Sequence, residues 1–480
     1  MAKLKNIIKQ LAPNDYHAIY DQLVNSNAEK SAYLLKFIRE RQMSDAKVME
    51  ELDVNTNAYY TLRSRLNQKI EEYLLQQMEN PRTDLLKKVA NISEILFTKK
   101  RAIAIATLKK LEKELQEYDL SNELTVVYKA LKKLHINTPE HFAYSQLYNK
   151  HVAFMLGIDK AEDLLAEYFR KYGQYYLSGS KTDRFGLEVL LKEMGNVCAL
   201  YSSHRLYVYQ SCMAIFHRLF VEKAESEDES AEPIEDILAN VEKYFDTYYR
   251  DSIYYNLDII FKFLWLEYYN YYRVFRKAEK FYEEVNNNTG LLLSNYSLFT
   301  FPAQFLISKL DRAVRQDTEG QLYEENKELF AEYESDVNDV PKHVVYVCYR
   351  ALSCFYAGKY EEAGRWLNNM LNDLSMKKFP QALMEIKLLL ALQYCIQAEF
   401  DLFNQTVNSI QRQVRMSEQE EALDHVQLFI KLMKVSLSEN RKTKEEKIKA
   451  LAEKINQIKV DHFSPMKHIR LDDKFVARLL

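Results

Sequence analysis

The side chains of this protein best able to do chemistry are its ten histidines and five cysteines. A metal held on one helix asks for histidines three or four residues apart, so that both imidazoles leave the same face. His135 with His141, and His462 with His468, miss that spacing. Cys198, Cys212, Cys348, Cys354 and Cys395 form no CxxC pair and lie mostly within apolar helical runs, as reduced structural thiols of an intracellular protein do. The chain has no phosphate-cradling glycine loop, no HExxH, no GxSxG and no calcium-loop pattern. Its carboxylates come in surface-like runs that single out no acid–base pair. The expectation is a protein that binds rather than reacts: no catalytic residue, no metal and no cofactor.

Binding has two basic candidates. In residues 44–77, Asp53-Val54-Asn55 reads as a turn between an apolar stripe through Val48, Met49 and Leu52 and a longer one through Tyr59, Leu62, Leu66, Ile70 and Tyr73, with Thr56 placed to cap the second helix. Two helices joined by so short a turn resemble a helix-turn-helix. That resemblance implies a DNA reader in which Asn57, Tyr60, Arg63, Ser64 and Asn67 face the groove, with Arg65 and Lys69 meeting phosphate. Residues 1–80 nevertheless hold 11 Lys or Arg against 11 Asp or Glu, whereas DNA-binding domains carry a basic excess. A helical cap on the array that follows is the competing expectation. The second candidate, residues 82–113, sets nine Lys or Arg against Asp84, Glu94 and Glu112. Its basic amphipathic pattern suits a phosphate backbone, an acidic partner, or a solvated helix face over a buried stripe.

The elements that would position such residues are helices. Only 9 glycines and 8 prolines occur in 480 residues, fewer than tightly turned sheets need. The 35 tyrosines suit the shallow, half-wet interfaces between stacked helices, each with an apolar ring and a polar tip. A net charge of -3 gives no global pull toward nucleic acid or acidic lipid. The N-terminal stretch lacks a secretory apolar run and no uncharged run is long enough to span a bilayer, so the expected location is the cytoplasm, away from membranes.

The clearest local pattern is residues 344–374. Val344, Val347, Cys348, Ala351, Leu352 and Phe355 form one helical stripe, Gly358 ends it, and Ala363, Trp366, Leu367, Met370 and Leu374 form the next, behind Glu361 and Glu362 at the positive end of the second helix. This Gly-Lys-Tyr-Glu-Glu-Ala turn resembles a tetratricopeptide repeat. The turn recurs without its glycine at residues 273–278 and 398–400, and Gly157 to Ala161 offers a fourth candidate. The resemblance implies a right-handed superhelix of antiparallel helical hairpins that binds a protein or peptide along its concave face. Carried over by position, that face is Gln146, Lys150 and Phe154, then Glu267, Asn270 and Tyr271, then Leu352, Phe355 and Tyr356. The chain is expected to divide into an N-terminal module (1–80), a first half of the array (81–221), an acidic linker (222–236) and a second half (237–480).

Overall fold

A chain poor in helix breakers satisfies its backbone N–H and C=O groups locally. In a computed structural model the protein is all-α, with 24 α-helices and no strand among the described residues. The structure describes residues 4, 8, 11, 13–26, 28–40, 45–77, 81–118, 120–201, 203–222, 232–248, 252–330, 333, 335–416, 424–438 and 444–480. Most of the acidic stretch 222–236 therefore lies outside the described residues. The chain divides into two compact units, residues 1–145 with 250–252, and residues 146–249 with 253–480. No described helix is long and apolar enough to cross a membrane.

The first unit holds α1 (Pro13–Asn25), α2 (Glu29–Arg39), α3 (Asp45–Glu51), α4 (Thr56–Gln77), α5 (Pro81–Ala90), α6 (Ile92–Thr98), α7 (Arg101–Glu117) and α8 (Ser121–Leu134). One core joins α1, α2 and α4 through Ile19, Leu35, Tyr59, Leu66 and Ile70. The start of α4 is capped by Asn55, its Oδ1 accepting from the Ala58 N–H at 2.9 Å, and the Thr56 side chain lies outside the described residues.

The helix α9 (Glu140–Ser178) begins in the first unit and runs into the second. There it is followed by α10 (Lys181–Leu200), α11 (His204–Phe220), α12 (Ile234–Thr247), α13 (Ser252–Tyr271), α14 (Phe275–Asn287), α15 (Thr289–Asn295) and α16 (Gln304–Arg315). The rest of the unit is α17 (Leu322–Leu329), α18 (Val340–Tyr356), α19 (Tyr360–Asp373), α20 (Pro380–Ile396), α21 (Phe400–Met416), α22 (Asp424–Ser436), α23 (Lys444–Asn456) and α24 (Asp473–Leu479). Consecutive helices from α18 to α21 pack on each other, and α20 also packs on α22. Much of the aromatic content is core, as in the edge-to-face contacts of Tyr172 with Phe216 and Phe301. In residues 252–272, Tyr254, Phe261, Phe263, Trp265 and Tyr269 are buried, whereas Tyr255, Tyr271 and Tyr272 are exposed.

Five helix ends share one device. Gly358 closes α18 at φ +71°, and the Lys359 N–H reaches back to the Cys354 carbonyl at 2.8 Å. The same left-handed residue and backward bond recur at Arg273 (Val274 N–H to the Tyr269 carbonyl, 2.8 Å) and Ala398 (Glu399 N–H to the Tyr394 carbonyl, 2.9 Å), the two turns expected to lack glycine. Asp53 and Asp317 repeat it. The expected turn at Gly157 is absent, since Gly157 and Gly173 both lie inside the 39-residue α9. A side-chain carbon at Gly157 would lie 2.9 Å from the Tyr201 ring, and one at Gly173 would lie 2.9 Å from Pro341. These glycines admit close neighbours instead of bending the chain.

A left-handed alanine is strained where a glycine is not. Ala398→Gly is therefore expected to stabilise the protein by up to about 1 kcal/mol and Gly358→Ala to destabilise it by about the same, read as opposite shifts of the urea midpoint.

Candidate functional site

The residues expected to form one concave face are treated differently by the structure. Gln146 and Lys150 are exposed, and the Lys150 ammonium lies 5.3 Å from the ring centroid of half-buried Phe154, which packs edge-on against Tyr201 at 4.9 Å. Asn270 is half-buried and Tyr271 exposed, but Glu267 beside them is buried and its Oε1 has no hydrogen-bond partner. Leu352, Phe355 and Tyr356 all lie in the core. An open face at these three positions is not what the structure holds.

Phe355 and Tyr356 are met by the chain's own segment 461–480. The Tyr356 hydroxyl donates to the His468 carbonyl at 2.7 Å and accepts from the Arg470 N–H at 3.0 Å. The Arg478 guanidinium sits 5.0 Å from the Phe355 ring centroid. His468 Nδ1 meets Asp311 of α16 at 2.7 Å, Arg470 pairs with Asp317, and Phe463 packs edge-on against Tyr176 at 5.6 Å. Asp472 caps α24 by accepting from the Phe475 N–H at 2.9 Å.

The deepest anchor of this segment is Glu385 of α20, a fully buried carboxylate. Its Oε1 lies 2.5 Å from His425 Nε2 at the start of α22 and 3.1 Å from His462 Nε2, while its Oε2 accepts from the Ser464 hydroxyl at 2.6 Å. Burial opposes the charge on Glu385, yet the hydrogen bonds from His425 and His462 outweigh it and hold the carboxyl below its ordinary range. The three groups come from positions 40 and 77 residues apart along the chain, so no spacing pattern joins them.

A second feature opens outward. Helices α21, α22 and α23 bound a groove of about 530 Å³ floored by Val414, Ile430 and Val435 and edged by Arg415, Lys431, Lys434, Lys444 and Lys447. Among the described residues no carboxylate lines it. The signal was present in the sequence as Lys431 with Lys434 and Lys444 with Lys447, each pair three residues apart on one helix face.

For the helix expected to read DNA, α4 exposes Tyr60, Ser64 and Arg65. Arg63 is half-buried with its guanidinium 5.7 Å from the Tyr59 ring centroid, Asn67 is half-buried, and Lys69 pairs with Glu72 at 3.0 Å. The Asn57 side chain lies outside what the structure describes.

Burial pushes Glu267 up from 4.5 to about 8, with a hydrogen bond to Ser308 holding it back and Asp311 adding to the rise. The folded protein thus keeps a proton that the unfolded chain has lost. The resulting stability is complete below pH 4.5 and disappears as pH rises through about 8. Glu267→Gln, neutral throughout, is expected to flatten that decline and to leave the protein roughly 2–4 kcal/mol more stable above it. Urea midpoints measured across this range test it, and an unchanged pH slope would mean that Glu267 is already ionised at neutral pH.

No family model, curated protein or solved structure matches this chain.

Proposed function

We propose that this chain is a non-enzymatic binding scaffold, a tetratricopeptide-like right-handed superhelix of hairpins working in the cytoplasm, and that it docks an acidic peptide segment of a partner protein. The left-handed turns after α13, α18 and α20 support the hairpin array. Five free cysteines support a reducing compartment.

One observation carries the choice of partner: the groove of α21, α22 and α23 sets five cations over an apolar floor, with no carboxylate among the described residues of its lining. An amphipathic peptide helix bearing Leu or Ile on one face and Asp or Glu at its edges matches both properties. Nucleic acid matches only the charge, because none of the described residues lining the groove offers an aromatic ring to stack a base. DNA reading through α4 is a second proposal, favoured by the exposed Tyr60, Ser64 and Arg65.

The test is fluorescence anisotropy with a labelled acidic amphipathic peptide, a sequence-scrambled control and a duplex of equal charge. The acidic amphipathic peptide is expected to bind best, and Lys431→Glu with Lys434→Glu to weaken it at least about tenfold, on the order of 1.4 kcal/mol. Equal binding of the scrambled peptide would remove the apolar floor from the account. Duplex binding that survives the double reversal but falls on Arg65→Ala would favour α4 instead.

A further inference from the structure

Glu385, His425 and His462 form a hydrogen-bonded anchor, and their ligand atoms also meet the requirements of a metal site. One ligand atom from each lies within 4.8 Å of the others, and both imidazoles offer Nε2 to the same carboxylate oxygen. We propose that these three residues bind a divalent transition-metal ion of the zinc class, fastening the segment 461–480 to α20 and α22.

Two imidazole nitrogens and one carboxylate oxygen form a borderline ligand set, suited to Zn²⁺ and poorly suited to Ca²⁺ or Mg²⁺, which prefer all-oxygen shells. Tetrahedral ligands about 2.1 Å from zinc stand about 3.4 Å apart. The observed separations of 2.5 and 3.1 Å from Oε1 need only a small opening to admit the ion. Ser464 occupies the other carboxylate oxygen at 2.6 Å and so turns Oε1 toward the histidines, as an outer-shell partner does. Burial of Glu385 and His425 leaves the charges with few competing waters, while the His462 side chain, 16% exposed, gives the ion a route in from solvent. Lys467 lies near enough to Glu385 to be felt by it, and the nearby Asp311 is paired with His468. In the metal-free form Nε2–H groups donate to Oε1; to ligate the ion each Nε2 gives up that proton, to Nδ1 of its own neutral ring or to solvent.

The site is independent of the acidic-peptide groove, and its test uses the metal alone. Full-length protein stripped with a chelator is titrated with Zn²⁺ against a chromophoric zinc indicator, and separately with Co²⁺, whose visible absorption reports four-coordinate nitrogen and oxygen ligation. The expected result is one ion per chain, a higher melting temperature, and slower proteolysis between α23 and α24 when the metal is bound. His462→Ala, with retention of its helical content checked by circular dichroism, is expected to abolish the cobalt spectrum and weaken zinc at least tenfold. Ser464→Ala, which positions the ligand without touching the ion, is expected to weaken zinc by about 10-fold or more while leaving one ion per chain. Absence of stoichiometric binding in the unaltered protein, or binding unaffected by His462→Ala, overturns the proposal.

Discussion

A carboxylate removed from water must be met by donors on every side that would otherwise face solvent, and Glu385 is the most deeply buried such group in its unit. Its own helix cannot supply those donors, because the backbone N–H groups of α20 are already engaged. They come from His425 at the head of α22 and from His462 and Ser464 in the segment that follows α23. This single requirement sets the course of the later chain. Once residues 462–464 are held at Glu385, the residues after them run over α18, where Tyr356 takes both a carbonyl and an N–H from that segment and Arg478 covers Phe355.

The same anchor governs what remains outside. Helix α22 begins with His425 turned inward to Glu385 and carries Lys431 and Lys434 outward along its exposed side. Holding one end of this helix fixes the direction in which its cations project, and with them one wall of the groove. The cation-edged groove therefore stands on an element oriented from the core, which is how a binding surface keeps its geometry before a partner arrives.

Local features of the fold were legible because their causes are local. The stripe of Val344, Val347, Ala351 and Phe355 and the break at Gly358 follow from helical period and backbone freedom, and the same turn was recognisable at Arg273 and Ala398 from the residues around it. At Gly157 the expected turn is absent for an equally physical reason: glycine serves tight turns and close contacts alike, and only the presence of Tyr201 decides between them. The expected partner face failed at Leu352, Phe355 and Tyr356 because apolar spacing marks a position as covered without naming what covers it. Glu267 shows the opposite limit, a charged residue type whose burial is set by neighbours far along the chain. The Glu385 cluster left no trace in any window of sequence, since its members come from three elements.

The path of segment 461–480 bears on how the chain is made. Ribosomal synthesis delivers Glu385 to the exit tunnel 77 residues before His462. During that interval α18 and α20 emerge with Tyr356 and Glu385 lacking the partners they hold in the finished structure. The hairpins can form early, because their contacts lie between neighbouring helices. Closure of the unit must wait, and until it comes the nascent chain presents an apolar face with polar groups unsatisfied, the state in which chaperones engage a client. Maturation of this protein is thus ordered in time by an interaction whose second half is made 77 residues after the first.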